Sequence, residues 1–139
     1  MLLVNKEIYD VLLSKDAESL KKALIKEFSH LPEEKVIILK SLVNKIQTVS
    51  KESIVILYGS QARGDANSDS DFDICILLKD KTDLIQKEIS EIIWEIGFEN
   101  DTIFQSVYFS YKEIFSEINY KSRFIQNLLS EGIFLSGNN

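Results

Sequence analysis

The chain has 139 residues, 45 % hydrophobic and 27 % charged, a balance that fits one soluble globular domain without room for two full cores. Asp and Glu number 22 against 16 Lys and Arg, and the net charge of −6 disfavours nucleic acid as a direct substrate, because phosphate-binding surfaces are basic. A single cysteine, Cys75, and a single histidine, His30, exclude an intrachain disulfide, a Cys-based zinc site and any multi-histidine metal site.

Residues 5–29 show apolar positions at helical spacing (Ile8, Val11, Leu12, Leu20, Ala23, Leu24, Phe28) and predict one or two helices. Pro32 followed by Glu33 and Glu34 reads as the first turn of the next helix, where proline costs little and acids complement the dipole. Val36, Leu39, Leu42, Val43, Ile46 and Val49 carry that helix to about residue 50. The pattern then changes. Ile54-Val55-Ile56-Leu57-Tyr58 is short, apolar and β-branched, a buried strand stopping at Gly59. After a polar stretch, Phe72 to Leu78 predicts a second strand, residues 82–96 a helix ended by Gly97, and Thr102 to Phe109 a third strand. Ser110-Tyr111-Lys112-Glu113 fits a capping box opening one helix through Ile114, Ile118, Ile125, Leu128 and Leu129 to Gly132, and Ile133 to Leu135 adds a short edge strand. The order predicts an α/β (α+β) chain, a small mixed sheet backed by helices, with an N-terminal helical extension over 1–50 packed on a domain over 51–139. Cys75, Trp94 and the phenylalanines are expected in the core, and His30 in a solvated loop. The apolar runs fall short of the ~20 residues of a membrane helix. No basic region precedes a signal-like core, so a cytoplasmic protein without membrane contact is expected.

Chemistry concentrates in Gly59-Ser60-Gln61-Ala62-Arg63-Gly64-Asp65-Ala66-Asn67-Ser68-Asp69-Ser70-Asp71-Phe72-Asp73. Gly-Ser at a strand end, opening a helical turn, either aims free N–H groups at a phosphate or is an ordinary tight turn. Asp71 and Asp73, two residues apart, share one face of a strand while Phe72 and Ile74 turn to the core. Two such carboxylates repel, and a divalent cation relieves the repulsion; hard oxygens suit Mg2+, which takes one or two carboxylates plus substrate phosphates. The bland alternative is a loop end and a solvated strand residue. Arg63, one of two arginines, either contacts phosphate or packs from the helix surface against the loop. Rival motifs fail. Gly59 and Gly64 have P-loop spacing, but Asp65 and Ala66 follow where Lys and Ser or Thr are needed. An EF-hand loop begun at Asp65 lacks the glycine (Ser70 stands there) and the closing glutamate (Ile76).

The combination of Gly59-Ser60, Arg63-Gly64 and Ser70-Asp71-Phe72-Asp73 resembles the signature of the polymerase-β-like nucleotidyltransferase superfamily, and more narrowly the small stand-alone minimal nucleotidyltransferase (MNT) proteins. The signature covers about a tenth of the chain. Arg123-Phe124-Ile125-Gln126-Asn127 with Ser130-Glu131-Gly132 adds a weaker likeness to the C-terminal helix of such proteins. The resemblance implies that Gly59 and Ser60 cradle the phosphates of ATP or another nucleoside triphosphate. Arg63 would contact them, and Asp71 and Asp73 would hold Mg2+ as the catalytic pair. It implies transfer of a nucleoside monophosphate, AMP from ATP, to a hydroxyl, with a helical HEPN-domain protein as partner and acceptor in a toxin–antitoxin pair. A homo- or hetero-oligomer fits the same resemblance. One departure stands out. Complete members supply a third carboxylate from the next strand, and Thr102 to Phe109 contains none; Gln105 is expected in that slot, with Asp101 and Glu99 reaching in only under another register. The alternative is therefore a catalytically impaired partner that binds nucleotide or protein.

Overall fold

The computed structural model describes residues 31–67, 71–116 and 122–135. The helices expected over 5–29, and His30, lie outside the described residues. Helix α1 (Glu33–Val49) starts after Pro32, with Glu33 and Glu34 in its first turn. Strand β1 (Ile54–Tyr58) leads directly into the short helix α2 (Gly59–Arg63). Strand β2 (Phe72–Leu78), helix α3 (Asp83–Glu99) and strand β3 (Phe104–Ser110) follow. Then come α4 (Tyr111–Ile114), α5 (Arg123–Glu131) and β4 (Ile133–Leu135). The fold is α+β, a four-stranded mixed sheet in the order β3-β2-β1-β4. β1 runs antiparallel to both β2 and β4, while β2 and β3 are parallel through the α3 crossover.

Both faces of this sheet are covered, which is why β1 and β2 read as continuous apolar runs rather than alternating ones. On one face Val55, Leu57, Phe72, Ile74, Ile76 and Leu78 pack beneath α1 (Leu39, Leu42, Val43, Ile46) and α3 (Ile89, Ile93, Ile96). On the other, Ile54, Ile56, Cys75 and Leu77 pack beneath α4 and α5 through Ile114, Phe115, Ile125, Leu128 and Leu129. Cys75 is a buried core residue, and burial raises its thiol pKa, so it stays protonated.

The two central strands occupy the predicted positions, and four expectations are corrected. Gly97 does not end α3: the helix runs on to Glu99, and Gly97 is buried where an added Cβ would lie 2.6 Å from the Thr102 carbonyl oxygen. It admits a close chain return rather than stopping the helix. That return holds Thr102 in a turn, its N–H donating to the Gly97 carbonyl (2.9 Å) and its hydroxyl to the Asn100 carbonyl (2.9 Å), so β3 starts at Phe104. The single C-terminal helix is interrupted, forming two helices among the described residues. The capping box forms as expected, with Glu113 N–H donating to Ser110 Oγ and Ser110 N–H to Glu113 Oε1, each at 2.9 Å, but α4 stops at Ile114. Ser122 caps α5 separately by accepting the Ile125 N–H at 3.1 Å. Trp94 is not in the core: the buried face of α3 is centred on Ile89, Ile93 and Ile96, and Trp94 and Phe98 lie on its outer flank. No helix among the described residues is long and apolar enough to cross a membrane.

Candidate functional site

The site forms where the α5-side core runs out. Along that face of β2, Leu77 and Cys75 are buried, and the next residues of the same row are Asp73 and Asp71, both half-buried. The sheet register sets Asp73 opposite Tyr58 of β1 on one side and Gln105 of β3 on the other. Gln105 thus occupies the third-strand position beside the carboxylates, and its amide Nε2 donates to Asp71 Oδ2 at 2.7 Å. Asp101 and Glu99 do not join this row. Asp101, at a left-handed φ of 50°, lines a cleft on the α3 side, and Glu99 is exposed at the end of α3.

The turn from β1 to α2 closes over Asp73. Gly59 has φ 73°, and a Cβ there would stand 2.4 Å from Asp73 Oδ2, so the backbone conformation and the carboxylate each require glycine. The first turn of α2 has no side-chain cap. Its leading N–H groups therefore lack the partner a cap would give. Gly64, at φ 85°, ends α2, its N–H donating to the Ser60 carbonyl at 2.9 Å. The Ser60 hydroxyl has no hydrogen bond among the described residues.

Burial raises the pKa of Asp73, the negative charge of Asp71 raises it further, and the Arg63 guanidinium partly opposes both. The charge of Asp71 thus reaches Asp73 across the space beside both side chains. Tyr58, beside Asp73, is pushed up to about 12, by burial first and the charge of Asp73 second. Its ring packs edge-on to Phe124 of α5 at 5.5 Å. Arg63 is exposed and bonded on both sides, Nε to Asp65 Oδ2 and Nη1 to Glu131 Oε2, each 3.1 Å. It ties α2 to the last residue of α5 while its field reaches Asp73.

Among the described residues no three His, Cys, Asp or Glu side chains converge as a metal cluster. The oxygen donors present are the two carboxylates with Gln105 against Asp71, a hard set that fits a cation completing its shell from substrate oxygens. The sequence reading brought Gly59, Ser60, Arg63, Asp71 and Asp73 to one segment, and the structure gathers them at one end of the sheet. It did not single out Tyr58, Asp65 or Glu131 as neighbours of the site. Tyr58 was legible only as the last residue of an apolar strand. Glu131 lies 68 residues from Arg63, a pairing with no local signal.

Residues 38–135 match the family model of the nucleotidyltransferase domain. A relative from Methanocaldococcus jannaschii, which carries the provisional name protein adenylyltransferase, is 42 % identical over 53 residues, 37 % of this chain and 54 % of that protein. The match thus spans about half the length of that relative. A crystal structure of a toxin–antitoxin with AMP-PNP overlays with a TM-score of 0.48 at 21 % identity, covering 72 % of this chain and 74 % of that one. The family match takes in most of α1 and every described element from β1 to β4, including the Gly59 turn and both carboxylates, so the chain belongs to the nucleotidyltransferase domain family.

Proposed function

We propose that the protein transfers AMP from ATP to a hydroxyl group of a partner protein, with Asp71 and Asp73 as metal-holding catalytic carboxylates. One observation carries this reading: the Gly59 turn lies directly against Asp73, its missing Cβ 2.4 Å from Oδ2, so a phosphate seated on the turn is held beside the carboxylate pair. Gly59 and Ser60 would receive the phosphates on the uncapped N–H groups of α2 and the Ser60 hydroxyl. Asp71 and Asp73 would hold Mg2+, which when bound offsets charge on the phosphate oxygens and orients them. The acceptor hydroxyl oxygen attacks the α-phosphorus and its proton passes to solvent, a new P–O bond forms, the bond to the bridging oxygen breaks, and pyrophosphate leaves. Arg63 reaches the site by its field while engaged by Asp65 and Glu131, so its part is to fix α2 and temper the charge on Asp73.

A protein acceptor is supported by the name of the Methanocaldococcus jannaschii relative. The MNT resemblance makes the partner a HEPN-domain protein and its tyrosine hydroxyl the acceptor. A second reading, a chain that binds nucleotide but transfers slowly, is favoured by Gln105. The amide beside Asp71 cannot take the acceptor proton, as a third carboxylate in that row would. The test is incubation with ATP labelled at the α-phosphate, Mg2+ and a lysate of the host, with Asp73→Asn as control. Label on a protein with wild type alone establishes the transfer. ATP-dependent stabilisation without label above the control selects the reading of a chain that binds nucleotide but transfers slowly. Neither label nor stabilisation refutes both.

A further inference from the structure

On the face of the sheet away from the carboxylates, α3 turns two aromatic side chains into solvent. Trp94 and Phe98 are 70 % and 76 % exposed, stacked with ring centroids 5.4 Å apart and planes inclined by 12°. Ile103, 65 % exposed, stands on the chain that returns from α3 to β3. The three wall a cavity of about 500 Å³ whose inner side includes Gly97 and Phe104. Exposed apolar side chains scattered singly are ordinary, but a stacked pair beside an isoleucine over a concave surface marks a contact site. Trp is among the residues enriched as anchors at the centre of protein interfaces.

The charges beside the cleft identify the occupant. Glu91, Glu95 and Glu99 follow one another at four-residue spacing along α3, one position away from the aromatics, and Asp101 continues the row past the helix end. All four are exposed, and none forms an ion pair among the described residues. Like charges four apart destabilise a helix, so the row works against α3 in isolation. Asp101 lines the cleft and the glutamates flank it along α3, and acid beside an apolar centre complements a segment carrying an apolar side chain next to Lys or Arg residues. A second copy of this chain is the poorer partner, because it brings the same surplus of acid, a net charge of −6, to an already acidic surface. The cleft adjoins β3, the edge strand that also carries Gln105, so a partner seated there lies one strand away from Asp73.

We propose that the Trp94–Phe98–Ile103 cleft docks a basic amphipathic segment of a partner protein, its apolar side chain filling the cavity and its Lys or Arg side chains meeting Glu91, Glu95 and Glu99. The surface adds to the protein-acceptor reading without requiring it, and its test uses no nucleotide, so either can fail alone. Trp94 is the only tryptophan, and its fluorescence reports the cleft directly. The full chain is titrated with a helical peptide of Leu and Lys at amphipathic spacing, and with a twin bearing Glu for Lys. The Lys peptide shifts Trp94 emission to the blue and cuts its quenching by acrylamide several-fold. Its dissociation constant rises about tenfold or more between about 50 and 500 mM salt, where charges are screened. The Glu twin gives no response, and Glu95→Lys with Glu99→Lys exchanges the two preferences. Equal responses to both peptides, or none to the Lys peptide at millimolar concentration, overturn the proposal. So does Trp94 already shielded in the chain alone: shielding independent of protein concentration means that residues 1–30 cover the cleft, and shielding that grows with concentration means that a second copy does.

Discussion

Replacing Gly59 by alanine separates the positioning of Asp73 from the stability of the turn. Its φ of 73° is left-handed, and an L side chain there costs about 1–2 kcal/mol. The new Cβ would also stand 2.4 Å from Asp73 Oδ2, whereas ordinary contact begins at 3.4 Å, so the carboxylate must retreat by about 1 Å. A carboxyl end can swing, so this second effect falls less on folding than on geometry. A misplacement of about 1 Å in a reacting constellation costs on the order of 10²-fold in rate. Gly59→Ala should therefore melt several degrees lower, fold normally, and lose about two orders of magnitude of AMP transfer and most of the stabilisation by ATP with Mg2+. A mutant cycle isolates the contact. On an Asp73→Ala background the overlap is gone, so Gly59→Ala should retain only its backbone cost. A Gly59→Ala protein with wild-type stabilisation by ATP, wild-type transfer and an unchanged melting temperature would refute both halves of the argument.

Asp73→Asn should abolish transfer yet stabilise the chain in a chelator at pH 7. Burial and Asp71 raise the folded pKa of Asp73 above its unfolded value, so ionisation costs stability as pH rises through the carboxylate range; the advantage of Asn should vanish below about pH 4, and a variant melting at or below wild type at pH 7 contradicts this. Glu113 shifts the other way, lowered first by the Ser110 N–H and then by Lys81. Glu113→Gln should weaken the fold at pH 7, the deficit fading as pH falls through the lowered pKa, and Ser110→Ala should cost about 1 kcal/mol in urea unfolding. Gln105→Ala removes the 2.7 Å bond to Asp71 at an exposed position and should weaken ATP–Mg2+ binding about five-fold, roughly 1 kcal/mol. Gln105→Asp should raise the transfer rate if proton removal limits it, and an unchanged rate in labelled-ATP assays assigns the limit elsewhere.

The segment bounds of β1 and β2 were legible because each is an unbroken apolar run between turn-formers, Gly59 after one and the polar stretch before the other. The same-side placement of Asp71 and Asp73 followed from strand periodicity, and Gln105 in the third row from counting along the next strand. Other features depend on tertiary placement. Gly97 carries no mark separating a helix end from a close chain return. The break after Ile114 conflicts with a stripe that continues at helical spacing. Trp94 sits one residue beyond Ile93, about 100° round the helix, and only the position of the sheet decides which of the two is buried. The Arg63–Glu131 pair joins residues far apart in sequence, so composition near Arg63 gave no indication of it.

The arrangement has a single structural cause. Because both faces of the sheet are covered, β2 must be apolar on both sides for most of its length, and ionised groups can enter only where a covering layer stops. On the α1 and α3 side the layer reaches Phe72, the first residue of the strand. On the α4 and α5 side it stops at Cys75, three residues short of that, and Asp73 and Asp71 fill the uncovered positions. Half-burial at that margin raises the pKa of Asp73 and makes its charge costly without a counter-charge. The same margin brings the antiparallel β1 to its end at Tyr58, so the chain must turn there, and Gly59 is the residue that lets it turn against a carboxylate. The motif residues are close in sequence because β1 and β2 are adjacent antiparallel strands, and they are close in space because the second core layer ends one row before they begin.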